Sequence, residues 1–425
     1  MCGRSRILVR TYNIYINLIL MFLLFVLSNN GICAISNTDI REDIAQALIK
    51  NGFENIRIKI LDKKFILAYE NRVDRFEVEG IRDVLFTVIP LLNDYDKIVL
   101  VPLNRKIPLV ILEADLNSCL AYKSKRITGS EFAGGLIITE NTDTVYNQLL
   151  NEREYNASDF RFDIAVKPTV RFEFGPYSHP VIGQVNIVPE IKSNWWKGMG
   201  ANYELIVPVY NDPGFGTRDD SVRSGVIAIN QVFRLPNSLF LSGSAGFFTQ
   251  NRYGIDLEIS KYWLNGDLNI SGNLGYSSYA TFSGLKRLLY SDTFIMTSSL
   301  SAQYRIEKYN LTMGIMVGKF LLGDESIRFD IFREFNEIEI GFFAIRSREG
   351  ISNGGINFSI PLFPSKYWNP GIVRIKTAES FSWSYLVKTN SNEFIGLRYD
   401  TNNRLSGFDK KLNPSFIRNI FNNDF

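Results

Sequence analysis

A chain of 425 residues with one histidine and three cysteines is poor in the side chains that build metal centres and nucleophilic sites. The histidine, His179, stands beside Pro180 in the run Gly-Pro-Tyr-Ser-His-Pro, which reads as a turn. A Gly-x-Ser-x-Gly run occurs at residues 350–354, but no helical pattern follows it to make a strand-to-helix elbow, so a Ser–His hydrolase is not indicated. The Ser-Gly-Ser-Ala-Gly run at 242–246 reads instead as small residues within a strand. The glycines of residues 129–144 lack the GxxxxGK[ST] spacing of a phosphate loop. Neither charge sign prevails: 47 Lys and Arg stand against 44 Asp and Glu, which gives no electrostatic reason for a nucleic-acid partner. Apolar runs of the roughly 20 residues that a spanning helix needs are also missing. The chain is expected to have no catalytic, cofactor-binding or metal-binding residues and to be no enzyme.

The longest apolar run, Leu18 to Leu27, is about ten residues and follows Arg4, Arg6 and Arg10. A basic start, a short apolar stretch and a small residue near Ala34 have the form of a cleaved secretory signal, so residues 1–34 are expected to be one. Cys33 invites a lipid-anchor reading, but Ile32 stands where a small residue normally precedes a lipidated cysteine. Cleavage leaves Cys119 alone, so the exported chain has no disulfide framework. Its stability must come from a large core, a sheet closed on itself, or the bilayer.

Residues 40–70 and 81–113 resemble two copies of one αββ pattern. Each opens with Ile-Arg-acid, continues as an apolar helical stripe, breaks at Asn-x-aromatic (51–53, 93–95), and gives two short strands joined by a basic turn. The turns are Lys63-Lys64 and Arg105-Lys106, and Ile56, Ile58 and Ile60 correspond to Ile98, Leu100 and Pro102. One such unit cannot bury its apolar face alone, whereas two make a four-stranded sheet covered by two helices. Glu70, Asp74 and Glu77 alternate with Arg72 and Arg75, which reads as a solvated, salt-bridged surface. Residues 114–158 read as a connector with a short helix near 145–154. The whole of 35–158 is expected to be a small α/β domain able to serve as a docking module.

From residue 159 to about 400 the period changes from helical to strict alternation. Tyr253, Ile255, Leu257 and Ile259 oppose Asp256, Glu258 and Ser260; Tyr309, Leu311, Met313, Ile315 and Val317 oppose Asn310, Thr312 and Gly314. Phe160, Phe162, Ile164 and Val166 oppose Arg161 and Asp163; Ile327, Phe329 and Ile331 oppose Arg328 and Asp330; Ile338, Ile340 and Phe342 oppose Glu337 and Glu339. The recurrence predicts roughly 12 to 16 antiparallel strands.

A soluble sandwich would alternate too, but three features favour a barrel in lipid. Several runs last about 9–13 residues, the length of a tilted strand crossing a bilayer, whereas sandwich strands average nearer 5 or 6. The polar sides carry both charge signs and small residues, as a wet or plugged lumen does; Arg252, Asp256, Glu258, Arg305, Arg328, Asp330, Glu337 and Glu339 are the lumen-facing candidates. Aromatics, 13% of the chain, gather at strand ends: Trp195, Trp196, Tyr262, Trp263, Tyr367 and Trp368 are candidates for an interfacial girdle. Tight polar turns alternate with long connections such as 211–223 and 280–292, as on the two rims of an outer-membrane barrel. Glu337 and Glu339 would suit paired carboxylate chemistry, but Arg328, Asp330 and Arg333 on the preceding strand neutralise them more simply. Residues 401–425 read as a polar C-terminal tail.

Residues 229–278 resemble the YjbH-like family of outer-membrane β-barrel proteins associated with exopolysaccharide. The matching residues are Gln231-Val232-Phe233-Arg234, Gly246 with its aromatic pair, Asn251-Arg252-Tyr253-Gly254 leading into the Asp256/Glu258 strand, the Gly266-Asp267 turn, and Asn413-Pro414-Ser415. The resemblance covers most of residues 160–415 and implies a role in surface polysaccharide or capsule export or assembly. This chain is shorter than the longer members, with one barrel and a small N-terminal domain. The expectation is thus an all-β transmembrane barrel preceded by a periplasmic αββαββ domain, in contact with outer-membrane lipid, partner proteins of a secretion machine and polysaccharide. A barrel that scaffolds a surface secretion or adhesion machine is the alternative.

Overall fold

The computed structural model describes residues 39–92, 94–174, 181–212, 220–285, 287–368, 371–388, 394–409 and 412–422. The expected signal segment and His179 lie outside them. Among the described residues no helix is long and apolar enough to cross a membrane, which says nothing of strands.

The first layer is built of α1 (Ile40–Lys50), β1 (Glu54–Leu61), β2 (Lys64–Glu70), α2 (Glu77–Val88), β3 (Lys97–Asn104), β4 (Ile107–Pro108) and β5 (Ile111–Asp115). It continues through α3 (Leu116–Lys123), α4 (Gly129–Gly135), β6 (Ile137–Thr139), α5 (Asp143–Leu149) and β7 (Glu154–Tyr155). The first helix begins where its spacing predicts, at Ile40, whereas α2 begins at Glu77, ahead of the expected opening at Ile81. Helix α1 buries Ile44, Ala45 and Leu48, and it stops at Asn51-Gly52, where Gly52 has φ +89°. Helices α3 and α4 start on side-chain caps, with Asp115 accepting from Ser118 N and a Thr128/Glu131 capping box.

The strand order is β6-β5-β3-β2-β1-β7, with β2 and β3 parallel at the centre. Central parallel strands read as near-continuous apolar runs because both faces are covered. Ile66, Ala68, Val99, Val101 and Ile111 pack against Tyr146 and Leu149 of α5. Their neighbours Ile98, Leu100, Leu112 and Ala114 line the opposite face together with Ile81, Leu85 and Phe132. The sheet is therefore larger than the four strands expected, and helices cover both sides. Residues 114–158, read as a connector, supply α3 to α5 and two edge strands.

The second layer is one large sheet. It contains β8 (Arg161–Phe174), β9 (Val181–Asn194), β10 (Met199–Asn211), β11 (Arg223–Leu235), β12 (Leu239–Phe248), β13 (Arg252–Trp263), β14 (Leu268–Ser283) and β15 (Arg287–Tyr290). It continues with β16 (Ile295–Ile306), β17 (Leu311–Lys319), β18 (Glu325–Phe335), β19 (Ile338–Ser347), β20 (Ser352–Pro361), β21 (Val373–Thr377) and β22 (Ser380–Lys388). Consecutive strands pair antiparallel from β8 to β14 and on through β16 to β20, and β22 pairs with β20; β15 pairs only with β14.

One pairing departs from the all-antiparallel expectation: β21 runs parallel to β8. Ala378 and Glu379 alone separate β21 from β22; Ala378 N donates to Val166 O, and Glu379 O accepts from Leu362 N. Phe162 is level with Val373 and Val166 with Thr377. Carried onward, that register sets Phe172 beside Trp383 and Phe174 beside Tyr385, and these rings lie 6.5 and 5.5 Å apart.

The two faces of this sheet have opposite polarity to those of a soluble protein. Ile255, Leu257 and Ile259 are 44–51% exposed, while Asp256 and Ser260 on the other side of the strand are 3–4% exposed. The same inversion recurs at Ile229, Met296, Leu300, Met313, Phe329, Phe342 and Ile356, all exposed. Short turns at one end bring Asn237, Asn265, Asn310 and Asn336 into positive φ, which asparagine tolerates.

Residues 401–425, expected as a polar tail, instead include α6 (Leu405–Asp409) and α7 (Pro414–Asn422) among their described part. Phe416, Ile417 and Phe421 of α7 are buried. The Phe421 ring lies 5.5 Å from Phe132 and 6.0 Å from Tyr122, which stack on each other at 4.6 Å. The last helix thus completes the core of the first layer. Phe421→Ala is expected to destabilise that layer by about 3–5 kcal/mol, the usual cost of removing a buried phenylalanine. Denaturant unfolding followed by helix signal measures it, and an unchanged midpoint would contradict this packing.

Candidate functional site

Two features use the chemistry of the chain: the joint between the layers and a C-terminal strap laid over the polar face of the large sheet. The joint is built on Glu54 at the start of β1, which is fully buried. A buried carboxylate needs paired charge to be tolerated. Glu54 Oε1 takes it from Arg161 Nη1 at 2.6 Å and Arg374 Nη1 at 2.7 Å. Arg374 Nε reaches Asp163 at 2.6 Å, and Arg72 bridges Asp163 and Glu70 at 3.4 and 3.1 Å. Glu70 also accepts from Asn55 Nδ2 at 2.6 Å and from the backbone amides of Arg105 and Lys106 at 3.0 Å. The Glu70–Glu77 segment, expected as a solvated surface, is therefore the inner side of a joint: Glu70, Asp74 and Arg75 are buried. The charges pair over long sequence separation, which is why the local pattern looked like an ordinary salt-bridged surface.

The first layer and α7 reach each of the described short turns of the large sheet. Gly198 N donates to Arg105 O at 2.8 Å, and Ser238 Oγ to Glu140 O at 2.9 Å. Asn413 Nδ2 donates to Gly266 O at 2.9 Å, and Arg418 pairs with Glu307 at 3.2 Å. Arg75 holds Glu337 through two contacts, at 2.6 and 2.8 Å. The basic turn of the second repeat goes furthest. The Arg105 guanidinium donates to Asn230 at 2.9 Å and Asn403 at 2.7 Å, and burial, with Arg72 near, pulls its pKa down to about 10. Gly200 leaves room for it, since a Cβ there would lie 2.6 Å from Arg105 Nη1.

The strap starts at the other end of the strands. Ile395 packs with Phe343 and Ile345, and Gly396 N donates to Asp324 at 2.8 Å. Tyr399 Oη donates to Asp256 at 2.7 Å, Arg404 pairs with the same carboxylate at 2.9 Å, and Leu405 N donates to Glu258 at 2.8 Å. Asn402 and Asn403 donate to Glu204 at 2.5 Å and Asn202 at 2.9 Å. At the short-turn end Arg305 pairs with Glu334 and lies 5.3 Å over the Phe416 ring. The strap therefore covers the polar face from one end of the strands to the other, and its last helix is fixed in the first layer.

These contacts sort the residues singled out in the sequence. Arg252, Asp256 and Glu258 lie on the polar side of β13, with both acids held by the strap. Arg328 and Asp330 share the polar side of β18 and pair with each other at 2.6 Å. Glu339 alternates with exposed Ile338 and Ile340 on β19. Glu337 is a correction: it stands in the turn before β19 and belongs to the joint. Arg333 also departs from expectation, since it lies on the exposed side, 4.9 Å from the Phe335 ring. Trp195, Trp196, Trp263 and Trp368 are exposed and Tyr262 is half-buried. Tyr367 is buried, because its amide donates to Val73 O at 2.7 Å and draws the loop under the first layer. Sequence reasoning placed Asp163 on the polar side of its strand but not in the joint, and it missed Glu54, Arg374, Tyr399 and Arg404. The spacing of Phe416, Ile417, Ile420 and Phe421 was a usable signal that the tail is a packed helix.

No family model matches the chain, and no curated protein matches it. Among solved structures it is similar to OmpT, an outer-membrane protein of Vibrio cholerae, at 8% identity and a TM-score of 0.27, over 53% of this chain and 96% of that one. A loop L8 deletion mutant of OmpT matches at 9% identity and 0.25, over 47% and 85%. Pseudomonas aeruginosa OccK2 (OpdF) matches at 11% identity and 0.27, over 46% and 59%.

The joint carries a titratable weak point. Burial, then the neighbouring Asp83 charge, push the Asp74 carboxyl up to about 6, against the pull of Lys366, whose Nζ lies 3.5 Å away. A proton held more tightly in the folded chain stabilises it fully below the ordinary carboxyl range, and that contribution is lost as pH rises through about 6. Asp74→Asn is expected to raise the thermal midpoint at about pH 8 and to leave it unchanged near pH 4. Scanning calorimetry of the two proteins checks this; an equal difference at both pH values would contradict it.

Proposed function

We propose that residues 159–388 form a closed β-barrel in an outer membrane, with the α/β layer in the periplasm across the short-turn rim. The protein acts without catalysis in the export or assembly of surface polysaccharide. The observation that carries the membrane part is the inverted polarity of the large sheet. Exposed Ile, Leu, Val, Met and Phe in successive strands are costly in water, whereas in hydrocarbon the same surface is the favoured one. Supporting closure, the strand order begins at β21 and ends at β22, two pieces of one segment. Counting them as one strand turns the fourteen of that order into thirteen. An odd number of strands, each antiparallel to the next, leaves the first and last running the same way, and parallel pairing is what β8 and β21 make. Short turns at the covered end and longer connections such as 211–223 at the other fit a periplasmic and an external rim.

The polysaccharide role rests on the resemblance of residues 229–278. The strap favours weighing a second reading, in which the barrel scaffolds a secretion or adhesion machine, because a polar face covered along its length is not an open pore. An export role then needs the strap to move. Its contacts with the wall include hydrogen bonds and ion pairs, which water must replace for the strap to move, and apolar packing of Ile395, Leu397 and Tyr399.

The mature chain is expected to fractionate with outer membranes, and Leu257→Arg to lower folded stability by about 2–4 kcal/mol in lipid. Recovery of the mature chain as a soluble periplasmic protein would overturn the membrane reading. For the role, replacing residues 394–404 by a Gly-Ser linker of equal length keeps α7 in place. The export reading expects larger current steps in planar bilayers and altered secreted polysaccharide; unchanged values for both favour the scaffold.

A further inference from the structure

The exposed apolar side of β17, β18 and β19 changes character at the end away from the α/β layer. Val317 and Ile327 are ladder partners there, and two residues further out on the same side Lys319 pairs with Glu325. Ile327 is also level with Arg346 on β19, and Arg348 follows two residues on. The side chains of Lys319, Arg346 and Arg348 are exposed. Arg348 pairs with Glu325 at 2.9 Å, and among the described residues Lys319 and Arg346 have no side-chain partner. These groups rim an open groove of about 550 Å³ whose floor includes Val317 and Ile327. Three cations against one carboxylate leave net positive charge directly above an exposed apolar stripe that runs on through Ile315 and Phe329.

We propose that this groove binds the phosphorylated headgroup of an acylated lipid in the outer leaflet. The phosphate would be held by Lys319, Arg346 and Arg348, and the acyl chains would lie on the Val317–Ile327 stripe. The chemistry is that of a doubly amphiphilic site. Guanidinium forks suit phosphate oxygens, and an ammonium adds a compact charge. The stripe rewards a chain that removes it from competing solvent. An inorganic anion would satisfy the rim alone, and a neutral lipid the floor alone; the two together select an anionic lipid. This rests on the membrane reading above.

The test uses the purified full mature chain in detergent micelles and native mass spectrometry. The probes are bisphosphorylated lipid A, the same lipid with its phosphates removed, and inorganic phosphate. The expected result is retention of bisphosphorylated lipid A at least roughly tenfold above the phosphate-free lipid, and no retention of phosphate alone. The triple variant K319Q/R346Q/R348Q is expected to bring the two lipids to equal, weak retention. Equal binding of both lipids by the natural protein would overturn the proposal, as would a triple variant that retains lipid A unchanged. Phosphate bound as well as lipid A would reduce the groove to a simple anion site and overturn the lipid assignment. If the triple variant does not fold, judged by heat-dependent migration on gels, the single variants K319Q and R346Q carry the comparison. Failure of the membrane reading shows separately, as loss of the natural protein from outer-membrane fractions.

Discussion

The rest of this structure depends on where the backbone hydrogen bonds of residues 373–388 go. A strand edge left unpaired in hydrocarbon strands its amides and carbonyls at several kcal/mol per group, so a lipid-facing sheet is stable only when it has no edge. Here one segment gives its first part to β8 and its second part to β20. Glu379 and Ala378 mark the changeover, one bonded to each neighbour. On the proposed reading the sheet closes on itself there, and the parallel pairing follows from the odd strand number.

Turning the apolar side outward creates a second requirement, because Asp163, Glu190, Glu204, Asp256 and Glu334 are then buried on the inside. Each needs compensation. The chain supplies it from three directions: neighbouring strands, as with Arg305 and Glu334; the α/β layer, as with Arg72 and Asp163; and the strap, through Tyr399, Asn402 and Arg404. Buried ion pairs of this kind contribute little net stability, but removing one partner leaves an uncompensated charge. The α/β layer and α7 are thus part of the charge balance of the large sheet, and Ile44–Phe425 is one compact unit. The same arrangement ties the strap to the α/β layer, since α7 shares its core with Phe132 and Tyr122.

The alternation at Ile255–Ser260 was readable because a sheet with one apolar and one polar face writes its period directly into the chain. The elements of residues 40–113 were readable as helical stripes followed by short apolar strands. What was hidden depends on partners far away in sequence. Glu54 meets Arg374 across 320 residues, and no local pattern marks either. Asn402 and Asn403 look like loop residues because the groups they bond, Glu204 and Asn202, are on distant strands. Glu337 followed the alternation of β19 by one residue too many, since the strand begins at Ile338 and the turn residue is free to face Arg75. Tyr367 is aromatic and stands at a strand end like Trp368, and only the contact with Val73 separates a buried ring from an exposed one.

The account stands on which solvent touches the apolar side of the large sheet. Single cysteines at Leu257, Met313 and Phe342, each carrying a nitroxide or a fluorophore in the reconstituted protein, report this directly. The background is quiet: Cys119 is buried, which pushes its thiol up to about 12, and Cys2 and Cys33 fall in the expected signal segment. The account predicts strong quenching at all three positions by a quencher dissolved in lipid and little by one dissolved in water. Protection from both reagents would place these side chains in a protein core and contradict it.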